Sequence, residues 1–317
     1  MTRIGRWWDA AWFAPAQPLA LAAFRILFGL LWIDVLVSSY PNWLRFYGAD
    51  GIVPFAWLGE AYFARPSLLS ISSAESFTWA CYWIALAAAI AFTVGYRARA
   101  ATIMLYLAVL SMVDRTPSVT HGEDLVSRQL LFFACFASVG DRWSVDAWLR
   151  SRRGLPLVRP GAIWPLRLMQ LTLAFVYLFS MPAKPSDDVA WRDGSAIYYV
   201  MASVNWGRFP ALAPLFYSGP LSYFASLGTL VAEGAFPLLV WWPRTRALAL
   251  VGIAMLQVGI ALFVNNVFNF NVVMMAGFLL FIPDLAYERA LARVAERLRR
   301  IAPGVRGSQP ADAPEHA

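Results

Sequence analysis

Eight apolar runs, near residues 19–39, 74–95, 98–114, 125–140, 162–182, 220–242, 246–264 and 267–283, constrain this chain more than any other feature. About 20 apolar residues in a helix cross the ~30 Å of a bilayer core, so the runs predict an all-α polytopic transmembrane bundle of about eight spans. The third, fourth, seventh and eighth runs are short. Composition agrees: 60% of the 317 residues are hydrophobic and 14% charged, too few polar groups to coat a soluble fold. Residues 1–18 read as an N-terminal interfacial segment, 19–283 as the transmembrane domain, and 284–317 as a basic amphipathic helix followed by a disordered tail after Pro303. Two long loops, 40–73 and 183–219, carry the Trp and Tyr content of interfacial segments, and Trp191 to Val204 is expected to form one amphipathic helix on the membrane surface.

The net charge of +7 does not imply nucleic acid, because the basic residues sit in short loops without an interleaved basic and aromatic patch. With eight spans and an internal N-terminus, seventeen basic residues fall in inner segments, six in outer segments and three within spans. That asymmetry predicts cytoplasmic N- and C-termini. The first run follows Arg3 and Arg6 but lacks a cleavage site, so it reads as an uncleaved anchor. Cys81 and Cys135 lie within apolar runs and read as inert thiols. There is no metal-ligand cluster and no phosphate loop.

A charge at membrane depth costs roughly 2.5–3.5 kcal/mol on insertion scales, so each one needs a reason. Arg25, Arg128 and Arg167 lie near span ends and can snorkel. Glu233 lies inside the sixth run beside Gly234 and Pro237, with Arg25 or Arg128 as its expected partner. Asn265, Asn266, Asn269 and Asn271 read as a helix connection. Of the 26 basic residues, 25 are Arg and one is Lys184. Lys184 and His121 fall on the same outer side. A lysine at an apolar boundary loses hydration of its ammonium form and can act as a base, and histidine titrates near neutrality unaided. Together they can take a proton from a quinol or carbon acid at the membrane surface. The plain alternative is a snorkelling lysine and a helix-capping histidine.

The ordered phrases FRILFGLLWIDVL, RFYGADGIVP, RTPSVTHGEDLVSRQLLFFACFASVGDRWSVDAW, QLTLAFVYLFSMPAKPSDDVAWRDGSAIYYV and VAEGAFPLLVWWPRTRALAL together resemble the HTTM family, the membrane domain shared with vitamin K-dependent gamma-glutamyl carboxylase. The resemblance covers about residues 17 to 285. It implies an inner-membrane protein in which Lys184 is the base that deprotonates a reduced, vitamin K-like quinone. His121 then takes the place of the histidine that stabilises or protonates the carbanion. Arg25 and Glu233 match polar family positions, and with Arg128 they are the expected electrostatic scaffold. The implied partners are membrane lipid, a peptide or protein substrate, and a thiol-disulfide oxidoreductase-like protein. Two departures point elsewhere: Gln257 stands where many bacterial members show a histidine, and only a short segment follows the last run, where the carboxylases carry a propeptide-binding domain. A non-catalytic membrane scaffold or partner-binding subunit is therefore the second reading. A transporter is the third, and no internal repeat favours it.

Overall fold

The computed structural model describes residues 2–59, 65–158, 161–217 and 219–301; Arg159, His316 and the tail expected to be disordered lie outside them. Helix α1 (Arg3–Trp12) starts where the Thr2 hydroxyl accepts the Gly5 N–H at 3.2 Å, and it leaves Trp7 and Trp8 exposed as interfacial anchors do. Helix α2 (Pro18–Ser39) begins on a proline, whose missing N–H would have had no helical partner. Its next two free N–H groups, on Leu19 and Ala20, both donate to the Asp284 carboxylate at 3.1 Å. A residue from the far end of the sequence thus caps the first span.

After the short α3 (Trp43–Tyr47) come α4 (Glu75–Val94) and α5 (Ala98–Arg115), packed as a hairpin. The chain continues through α6 (Gly122–Ala134), α7 (Val145–Arg152), α8 (Trp164–Asp187), α9 (Val189–Asp193), α10 (Ala196–Ala202) and α11 (Ala213–Tyr217). It ends with α12 (Pro220–Leu239), α13 (Arg246–Phe263), α14 (Phe268–Phe278) and α15 (Asp284–Ile301). Among the described residues the extended pairings are isolated bridges, Pro15 to Ala162 and Gly207 to Val264. Helix α2 runs through the middle, its Phe24, Phe28 and Leu36 fully buried between α4 and α14.

A helix lies on each of the eight apolar runs, yet about eight full spans are not borne out. Among the described residues, four helical segments are long and apolar enough to cross a membrane: Pro18–Tyr47, Glu75–Val94, Trp164–Asp187 and Arg246–Phe263. A fifth counts only if Phe268–Phe281 and Asp284–Arg297 are one span, and these are bent by 97°. The shortfall has local causes. Arg99, Asp114 and Arg115 dilute α5, Glu233 and four hydroxyl residues dilute α12, and α6 has 13 residues, about 20 Å of helix at 1.5 Å per residue. The sharp bend falls at Pro283, whose ring disfavours helical backbone at Ile282. It turns the arginine-rich α15 away from the axis of α14.

The loop after α2 is fastened by Arg115. This side chain is fully buried, and its guanidinium donates to the Val53 carbonyl at 2.8 Å and the Gly48 carbonyl at 3.0 Å. Arg115→Met keeps the stem and removes both bonds. The expected outcome is a loss of about 2–3 kcal/mol, the range for charge-assisted bonds, read as faster limited proteolysis within residues 48–58 of the membrane-reconstituted protein.

Candidate functional site

Helix α8 carries Pro182 and Pro185 in its last two turns, which removes two backbone donors and loosens the ladder there. Lys184 sits between them. Its ammonium pairs with the Glu233 carboxylate of α12, and its Nζ lies 5.2 Å from the centre of the Trp191 ring, within cation–π range. Glu233 is 5% exposed and the Lys184 side chain 25%, so the carboxylate is the buried member and the amine faces the opening.

The pair is roofed. From Glu233 back to Pro220, α12 extends thirteen residues toward its N-terminus, about 20 Å, and α9, α10 and α11 pack on α12. Ser222 and Ser226 hold them. Both hydroxyls donate to the Gly194 carbonyl, at 2.8 and 3.1 Å, and accept from the N–H groups of Tyr198 and Ile197. Asn265 and Asn266, at the α13–α14 connection, donate to the carbonyls of Gly207 and Asn205, fastening the loop's other edge in the turn role expected for them. The single helix expected over Trp191 to Val204 is instead two, because Gly194 adopts φ +82° against Tyr223, where any Cβ would come within 2.4 Å of the ring. A 570 Å³ pocket follows α9 and α10, lined by Asp188, Trp191, Asp193, Tyr199 and Trp206. The Ser195 hydroxyl and N–H hold the Asp193 carboxyl below the usual carboxylate range.

The other expected site residues lie apart from this pair. Arg25 was expected to snorkel or to partner Glu233. It is fully buried at the opposite end of the bundle, where it donates to the Trp143 carbonyl. Arg128 pairs with Asp114 at 3.5 Å, an oxygen that Arg65 also approaches at 4.0 Å. The partner of Glu233 is therefore Lys184 and neither arginine: α8 and α12 lie side by side there, and a 49-residue separation hides the contact. His121 is exposed at the start of α6, with its backbone N–H on Asp124 Oδ2 at 2.9 Å. No hydrogen bond joins it to Lys184. Two turns before Lys184, Tyr177 was missed altogether; its hydroxyl accepts from Gln257 Nε2 at 2.6 Å. The signal was available, since a seven-residue spacing puts both on one helix face.

The phrases that carry Lys184, Glu233 and His121 fall within one continuous match, because the HTTM domain family profile covers residues 13–284. The chain belongs to the HTTM family. No curated protein and no solved structure matches it. Membership makes this a membrane protein related to the carboxylase membrane domain, and it places the Lys184–Glu233 pair and its roof inside the HTTM domain. Among the described residues no group of three or more His, Cys, Asp and Glu could hold a metal ion.

Proposed function

We propose that this HTTM protein takes a proton from the hydroxyl of a reduced, vitamin K-like quinone at the non-cytoplasmic face of the inner membrane, in carboxylase-like chemistry on a peptide or protein. The observation that carries this reading is the only lysine of the chain, held against a buried carboxylate and beneath an indole ring. The residues suit a ring with a greasy tail. Lys184 and Trp191 offer a proton acceptor and an aromatic face, and the 570 Å³ pocket that shares Trp191 adds Val189, Tyr199 and Trp206 as apolar surface for a tail. A reduced quinone bound there supplies the acidic hydroxyl and the reducing electrons.

The chain's own residues handle the proton. The Lys184 ammonium first gives up a proton to water at its exposed side; the hydroxyl proton then passes to Nζ of the resulting amine, leaving an anionic oxygen facing the restored ammonium. Glu233 and the Trp191 face stabilise that ammonium, and the burial of the carboxylate strengthens its part of the attraction. His121, at the exposed start of α6, is the second acid/base on the same side.

The test is oxygen-dependent conversion of a reduced naphthoquinone by the protein in lipid nanodiscs. Conversion at background level in Lys184→Ala is the expected result; wild-type conversion in that variant overturns the mechanism. Orientation is tested separately: reporter fusions should read cytoplasm at residue 155 and the opposite side at 190. The scaffold reading, in which the protein holds a thiol-disulfide oxidoreductase-like or other partner, draws on one observation. An ion pair between α8 and α12 can serve register alone.

A further inference from the structure

The turn where α5 ends and α6 begins carries a charge that the proton step leaves unused. Asp114, one residue before the end of α5, presents a single oxygen to two guanidiniums, that of Arg128 on α6 at 3.5 Å and that of Arg65 in the loop before α4 at 4.0 Å. One carboxylate against two arginines leaves one positive charge over. Asp114 is the buried member, its side chain 9% exposed, whereas those of Arg128 and Arg65 are 31% and 46% exposed. Among the described residues the Arg128 side chain makes one hydrogen bond, to Asp114, and the Arg65 side chain none, so most of their N–H donors have no protein partner. Two cations that meet at one oxygen lie close enough for one phosphate to touch both, and the guanidinium fork matches phosphate geometry.

Arg128 also lines a 670 Å³ groove between α6 and α8 whose walls are otherwise mostly apolar, among them Phe132, Phe133, Leu168, Phe175 and Phe179. The two helices run antiparallel, for Phe136, just past the end of α6, meets Trp164 at the start of α8 with ring centres 5.6 Å apart. Side chains lean toward the N-terminus of their helix, which carries the Arg128 guanidinium toward the α5–α6 turn. The cation thus stands near the ends of two membrane helices, the level of lipid headgroups, while Phe132 and Leu168 lie deeper along the groove. A charge facing lipid without a counter-charge is costly, and basic pockets between membrane helices bind anionic headgroups. A soluble anion would leave the apolar walls unused.

We propose that the groove between α6 and α8 holds one anionic phospholipid, its phosphate on Arg65 and Arg128 and an acyl chain along Phe132 and Leu168. The site shares no residue with the Lys184–Glu233 pair and stands independently of the quinol reading.

The test is native mass spectrometry of the full chain in detergent, titrated with phosphatidylglycerol and with phosphatidylcholine of the same acyl chains. Wild type is expected to retain one phosphatidylglycerol about tenfold more tightly, the lower end for one charge-assisted bond. Arg65→Gln, at an exposed loop position, removes the spare charge and should bring the two lipids level. Asp114→Asn removes the neutralising carboxylate and should raise the preference. A phosphatidylglycerol with a photoreactive acyl chain should label residues 129–136 and 168–179. Equal retention of both lipids by wild type overturns the proposal, as does a preference that survives Arg65→Gln or label spread evenly over the bundle. Displacement of phosphatidylglycerol by inorganic phosphate assigns the two arginines to a soluble anion and overturns it as well.

Discussion

Lys184→Met is expected to lower quinol conversion by about 10²- to 10⁴-fold, the usual contribution of a positioned base, and also to destabilise the protein by about 3 kcal/mol by stranding Glu233. The second effect follows from burial. Glu233 is 5% exposed, and removing its counter-charge leaves a carboxylate desolvated and unpaired. Glu233→Met should destabilise similarly from the other side, less steeply because the amine at 25% exposure keeps some water. The double variant Lys184→Met with Glu233→Met is the deciding protein. Replacing both members of a buried pair by apolar groups of similar volume is often neutral or stabilising, so its thermal midpoint in detergent should return to the wild-type value. Its conversion should not return. Restored stability with no activity assigns chemistry to Lys184; wild-type activity in the double variant leaves the pair as a register clamp and puts the base elsewhere.

Gly95→Ala should disrupt the end of the bundle where α4 meets α7 by about 3–5 kcal/mol, combining left-handed backbone strain of 1–2 kcal/mol with displacement of a buried, hydrogen-bonded charge. Gly95 ends α4 at φ +72°, and an added Cβ would lie 1.6 Å from Arg25 Nη1 and 2.4 Å from the Ser144 Cβ. Neither neighbour can yield. Arg25 is fully buried with its guanidinium on the Trp143 carbonyl, and Ser144 caps α7 through the Ala147 N–H at 2.9 Å. The same corner holds Asp146, whose carboxylate accepts the N–H groups of Arg97 and Ala98 at 2.8 Å. The check is monodispersity and thermal midpoint in detergent, with Ser144→Ala as reference. That change removes one cap and should cost about 1 kcal/mol. A Gly95→Ala protein as stable as the reference would mean that Arg25 has room to move, against its complete burial.

Much of this architecture was legible because hydrophobic periodicity is local. Each apolar run became a helix, and the basic segment after Pro283 became α15. Turn chemistry was legible in part: the Asn265–Asn266 connection took the role its composition suits, whereas Gly194 broke a stretch whose amphipathic pattern pointed to one helix. The lysine stood out by rarity alone. Its partner did not, since Arg25, Arg128 and Lys184 are equally cationic in a sequence, and only the neighbouring paths of α8 and α12 select among them.

Apolar length and the scarcity of charge determined, without any coordinates, that this chain folds as helices in lipid, because a bilayer leaves the backbone no other way to satisfy its donors within a single segment. The order of its motifs determined the family. Which charges meet was left to the tertiary structure, as were the number of helices that reach across and the roof over Lys184. Those depend on contacts between residues tens to hundreds of positions apart, whose free energy comes from desolvation and geometry in the assembled bundle and has no counterpart in any local stretch of sequence.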